Sequence, residues 1–170
     1  MKREKITVEV AERRLPQHQE RGFHVDTRLL QEITKPGQLF LVELETEKEF
    51  LDLVWQANDR TRPLAPCGQP RTLLDCARRL AAFDWSFEVL VYAGYPWFQQ
   101  CLAIDGDYRS DWFGWVAITP LIPAERSETP RGSYYIYDGV HKSIVLAKRL
   151  LRKQTGYQPL EVLLLEPRRR

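Results

Sequence analysis

The stretch from Tyr134 to Glu166 constrains the chain more than any other part of it. Ser133 to Tyr137 is short, aromatic and β-branched, and reads as a strand. Asp138-Gly139 follows, a dipeptide that turns a backbone sharply. From Val140 to Lys153 the apolar residues Ile144, Val145, Ala147, Leu150 and Leu151 recur at helical spacing. Lys148, Arg149, Arg152 and Lys153 fall on the opposite side, which the pattern assigns to solvent. Gly156 is placed to end the helix. Leu160 to Leu165 is nearly all apolar, as a strand covered on both faces must be. A strand, a tight turn, a basic helix and a buried strand therefore close the chain.

The turn between strand and helix, Asp138-Gly139-Val140-His141-Lys142-Ser143, is where chemistry is expected. Gly139 lets the backbone turn or approach a ligand closely. The first turn of a helix carries amides with no intrahelical partner and the positive end of the helix dipole, a combination that favours anions. His141 and Lys142 add donors beside those amides, and Ser143 adds a hydroxyl. Asp138 can orient His141, cap the helix or act as an acid–base group or metal ligand. The plainer reading is an ordinary Asp-Gly turn with a locally satisfied histidine. The strand, helix and closing strand around it favour a phosphate site.

The remaining elements are less legible. Lys5 to Val10 alternates and reads as a strand. Leu15 to Arg21 reads as a loop, Asp26 to Thr34 as a short helix, and Gln38 to Leu44 as a second strand. Thr46 with Glu49 makes a capping box for a helix drawn to Asn58. Asp59 to Pro70 reads as a loop and Arg71 to Phe83 as a helix. Trp85 to Ala93, Trp97 to Ile104 and Trp112 to Thr119 are rich in aromatic and β-branched residues. They are predicted to be strands of an antiparallel meander, two of them joined by a turn at Asp105-Gly106-Asp107. Pro120 to Gly132 reads as a long surface loop.

Tyr135-Ile136-Tyr137-Asp138-Gly139-Val140-His141-Lys142-Ser143, with the helix and strand that follow, resembles the ParB/sulfiredoxin-like fold. The opening strand from Ile6, then Leu15-Pro16 and a polar loop ending in Glu20-Arg21, is similar to the start of that family. The resemblance implies a single α+β domain over residues 1–170: a mixed sheet with packed helices and an aromatic-rich β insertion at approximately residues 51–130. It implies binding of nucleotide or nucleic-acid phosphate by Gly139, His141, Lys142, Ser143 and Arg21. Asp138, His141 and Glu20 are then the catalytic candidates. The activities it suggests are nuclease or phosphodiesterase, with nucleotide-dependent phosphotransferase as an alternative, and the cofactors are Mg2+ and a nucleotide, ATP or CTP. Two departures stand out. Val140 occupies the position of the cysteine in the sulfinic-acid reductases, so that activity is not expected. Lys142 replaces the family's arginine, keeping the charge but not the bidentate fork.

Charge supports an anionic partner without demanding one. Between Arg126 and Arg170 there are 10 Lys/Arg against 4 Asp/Glu, although the whole chain of 170 residues carries only +2. Cys67, Cys76 and Cys101 show no zinc spacing, and three is an odd number, which excludes a full disulfide framework. No apolar run reaches the roughly 18 residues of a membrane span. Met-Lys-Arg-Glu-Lys at the start has no signal-like core, so a cytoplasmic protein is expected. His18, His24 and His141 have no metal-ligand spacing, and Asp105, Asp107 and Asp111 lack the rest of a calcium loop. The aromatics from Trp85 to Trp115 are expected to pack the core and offer a partner surface, in preference to a base-stacking platform. That surface supports a second reading, an accessory factor that binds a protein or DNA without catalysis. Arg168 to Arg170 is expected to be a basic tail.

Overall fold

The computed structural model describes residues 2–14, 37–56, 58–64, 70–109, 116–120 and 134–167. The expected loop from Leu15, the helix from Asp26, the residues Glu20, Arg21, His18, His24, Cys67 and Asp111, and most of the loop after Pro120 lie outside the described residues.

Seven strands form one mixed sheet: β1 Arg3–Lys5, β2 Gly37–Leu44, β3 Val54–Gln56, β4 Pro70–Thr72, β5 Val116–Thr119, β6 Tyr135–Asp138 and β7 Leu160–Pro167. Their spatial order is β1-β2-β7-β5-β6-β3-β4. The longest pairing is antiparallel, β2 on β7, running from Gly37 opposite Pro167 to Leu44 opposite Leu160. β5 lies parallel to β7 on one side and antiparallel to β6 on the other. β6 and β7 therefore run in opposite directions with β5 between them. Six α-helices are present among the described residues: α1 Val8–Arg14, α2 Glu47–Leu51, α3 Leu73–Ala82, α4 Phe87–Tyr92, α5 Phe98–Gly106 and α6 Val140–Leu151.

The period-2 alternation of the strands divides the core between the two faces of the sheet. Val42, Leu44, Val116, Ile118, Ile136, Val162 and Leu164 bury one face with residues of α2 to α6. Leu39, Leu41, Ala117, Leu163 and Leu165 bury the other with Ile6 and Ala11. β7 feeds both cores, which explains its unbroken apolar run.

The closing strand–helix–strand unit, β2 and α3 fall where the sequence puts them, although α6 ends at Leu151 with Lys153, not Gly156, in the left-handed position of its cap. α3 starts at a capping box made by Thr72 and Asp75, and α2 at the one made by Thr46 and Glu49. Four further expectations are corrected. The helix drawn to Asn58 stops at Leu51, because Val54–Gln56 pairs with both β4 and β6. Val8–Val10 is helical, not extended: the Val10 amide donates to Thr7 Oγ1, and Ala11 is buried one turn on. The strands predicted at Trp85–Ala93 and Trp97–Ile104 are helices α4 and α5. Ser86 caps α4 by accepting from the Val89 amide, and Phe87 and Leu90 are buried three residues apart. Phe98, Cys101 and Ile104 repeat that spacing in α5. Aromatic and β-branched content suggested strands, but the burial period is helical. Of the predicted meander only β5 remains.

The last correction concerns the wet side of α6. Lys148 is buried, its Nζ 2.5 Å from Asp105 Oδ2 and 4.2 Å from the Phe87 ring centroid. Arg149 Nε lies 2.7 Å from Asp105 Oδ1, and its guanidinium also donates to the Asp105 carbonyl at 2.6 Å. Asp105 sits in α5, which packs along α6, so the expected hairpin turn is a clamp between two helices.

Candidate functional site

β6, an interior strand, carries Asp138 at its carboxyl end, and the next residue reverses the backbone into α6. Gly139 takes φ 87°, a left-handed conformation in which a side chain would be strained. The Asp138 carboxylate accepts from the Gly139 amide at 2.7 Å and so fixes the turn. Having no side chain, Gly139 makes no capping bond to the start of α6. The first turns of α1 to α4 each contain an acidic residue, whereas that of α6 contains none and carries Lys142. Its dipole is thus opposed by a cation instead of being complemented by a carboxylate.

The predicted residues divide into two groups. Ser143 is fully buried and turned inward, its hydroxyl donating to the Gly139 carbonyl at 2.9 Å. Its hydroxyl hydrogen is thereby spent on closing the turn. Asp138, Gly139, His141 and Lys142 converge at the amino end of α6. Lys142 is 8% exposed. Burial lowers its pKa, and the Asp138 charge acts in the opposite sense.

His141 has the most distinctive environment. Its ring stacks on Trp97, with centroids 4.0 Å apart and planes 25° from parallel. Trp97 stacks in turn on Trp55 at 6.0 Å and meets the edge of Phe98 at 5.0 Å. Trp55 Nε1 donates to Cys76 Sγ at 2.9 Å, anchoring the far end of the stack in the core. Burial pushes the imidazole pKa down to about 4, so the ring is neutral at pH 7. Among the described residues neither ring nitrogen of His141 has a hydrogen-bond partner. A neutral imidazole is one donor and one acceptor, and neither is committed among the described residues.

Trp97 was not singled out from the sequence, where it reads as one aromatic of a meander. The signal was there in the helical spacing from Phe98 to Ile104, which sets Trp97 at the start of a helix facing α6. Asp105 was read as a turn residue for the same reason.

No protein-family model matches the chain, and neither a curated protein nor a solved structure matches it. The class defined by the coordinates is a mixed α+β domain built on a seven-stranded sheet.

Proposed function

We propose that this chain is a ParB/sulfiredoxin-like module that binds the phosphate of a nucleotide or nucleic acid at the turn from Asp138 to Lys142. The observation that carries the reading is His141: a neutral, half-buried imidazole, held by Trp97 in the first turn of α6, with nitrogens that no described residue engages. In this reading the α6 amides and the imidazole N–H donate to phosphate oxygens, and Lys142 supplies charge. Asp138 shapes the turn through the Gly139 amide, which makes it a positioning residue. The reading is therefore binding first, with nuclease, phosphodiesterase or phosphotransferase activity as extensions of it. Among the described residues no three His, Cys, Asp or Glu side chains are grouped to hold a metal ion. Magnesium enters as the counter-ion that ATP or CTP carries, and no step is assigned to it. No helix among the described residues is long and apolar enough to cross a membrane.

The test is calorimetric titration of ATP, CTP, GTP and UTP, with and without magnesium, and of a short oligonucleotide. The titrations are run at about pH 5.5 in two buffers of different ionisation enthalpy. An anion beside His141 stabilises imidazolium, so binding should take up a proton, and His141→Gln should abolish the uptake. Absence of binding, or binding that His141→Gln leaves unchanged, rejects the proposal. The accessory-factor reading is favoured by a separate observation, the exposure of Phe83 and Tyr92 at 55% and 85%.

A further inference from the structure

The carboxyl ends of α3 and α6 meet at one corner, and both are built in the same unusual way. Each helix ends in a Schellman motif. Trp85 N donates to Leu80 O at 2.9 Å and Asp84 N to Ala81 O at 3.1 Å; Gln154 N donates to Arg149 O at 2.9 Å and Lys153 N to Leu150 O at 3.0 Å. The left-handed position of such a motif is normally glycine, as Gly94 is at the end of α4. At this corner it is Asp84 (φ 48°) and Lys153 (φ 54°), the two non-glycine residues with positive φ among those described. A side chain is strained there and does not stabilise the cap, so its presence points outward.

What surrounds them supplies the reason. Phe83, between the end of α3 and Asp84, is 55% exposed and stacks on Trp85 with centroids 4.7 Å apart. The Arg79 guanidinium lies 5.4 Å from the Phe83 centroid and 6.0 Å from that of Trp85. Arg152 reaches Asp84 at 3.2 Å, and Lys153 is exposed beside it. The corner thus combines the exposed Phe83 ring, backed by the partly buried Trp85, with three cations: Arg79, which also donates to the Pro63 carbonyl, Arg152, which pairs with Asp84, and Lys153.

We infer that this corner is a binding surface for single-stranded nucleic acid. A flat ring that water can reach, as Phe83 is, suits an unpaired base, whose face a duplex hides, while the cations suit the phosphates beside it. A purely apolar partner would leave the charges unmatched. A duplex would leave the ring unused. The surface lies at the opposite end of α6 from Gly139, a helix of 12 residues spanning about 18 Å. It stands independently of the phosphate turn.

Fluorescence anisotropy of a labelled oligo-dT, with the full chain, tests this. Binding is expected at low salt, with affinity falling with salt at a log–log slope of about −2, the value for three phosphate contacts on a single strand. Phe83→Ala, an exposed site, should weaken binding about tenfold or more. Arg152→Glu/Lys153→Glu should weaken it further and flatten the slope. Asp84→Asn, which removes the one negative charge, should tighten it. The fold-changes caused by the corner substitutions should be the same in a His141→Gln background, whose own change in affinity reads the turn, and this separates failure here from failure at the turn. Circular dichroism confirms that each variant is folded. The inference is overturned if oligo-dT does not bind, if Phe83→Ala binds as well as the parent, or if a poly-glutamate peptide or a blunt duplex competes as effectively as oligo-dT.

Discussion

His141 should titrate near pH 4, and removing it should flatten the acid side of the stability profile. The sign follows from which state holds the proton. Between about pH 6.5 and 4 the unfolded chain carries imidazolium while the folded chain keeps the ring neutral. Stability from this group is therefore complete above pH 6.5, falls as the pH drops toward 4, and is constant below that. The difference between 6.5 and about 4 corresponds to roughly 3 kcal/mol for a fully withdrawn ring. His141 is only half-buried, so solvent screening reduces this to about 1–2 kcal/mol. Urea unfolding at several pH values between about 7 and 4.5 should show that loss in the parent and not in His141→Gln, with the steepest divergence near pH 5 to 6. A parallel NMR titration, with His141 assigned by its disappearance in His141→Gln, reads the ring directly. Trp97→Leu exposes the imidazole and should move its titration up toward 6.5, at a cost of about 2 kcal/mol at neutral pH. If His141 in the parent titrates at 6 or above, or if the two pH profiles run parallel, the stacked and desolvated ring described here is wrong.

Other outcomes test other parts of the structure. Asp84→Gly relieves a left-handed backbone and should stabilise the fold by about 1 kcal/mol, raising the melting temperature by roughly 2–4 °C. Asp105→Asn leaves Lys148 buried without its carboxylate and should cost about 3 kcal/mol in urea unfolding, whereas Asp105→Leu with Lys148→Met should recover much of that loss. Cys76 and Cys101 are fully buried, and burial raises both thiols, Cys76 to about 12. Site-resolved mass spectrometry should find both unmodified by a maleimide reagent in the folded protein at pH 8 and labelled after denaturation.

Where local signals and tertiary environment agreed, the sequence could be read. β7 is apolar because it is buried on both faces, and nothing local contradicts it. Thr46-Glu49 announces a helix start because a capping box is a short-range device. The Asp138-Gly139 turn is visible because its left-handed position is filled by glycine, unlike those at Asp84 and Lys153. The errors cluster where composition and period disagree. Phe87 to Tyr92 and Phe98 to Ile104 carry aromatic and β-branched residues that favour strands, yet their buried positions repeat every three residues. Once α5 was taken for a strand, neither the stacking of Trp97 on His141 nor the Asp105 clamp on Lys148 and Arg149 could be foreseen. Those contacts join residues about forty positions apart, and spacing within one element carries no trace of them.

The placement of β5 gives the molecule an all-or-none character. Tyr134 to Glu166 looks self-sufficient, but its two strands never touch; Val116–Thr119 is inserted between them and bonds to both. A peptide cut to the turn and its helix would have no sheet to lie on, so the corner at Gly139 could not be grafted elsewhere by copying it. Its geometry comes into being only when distant parts of the chain have already assembled, and ligand capture there would report on the integrity of the entire domain.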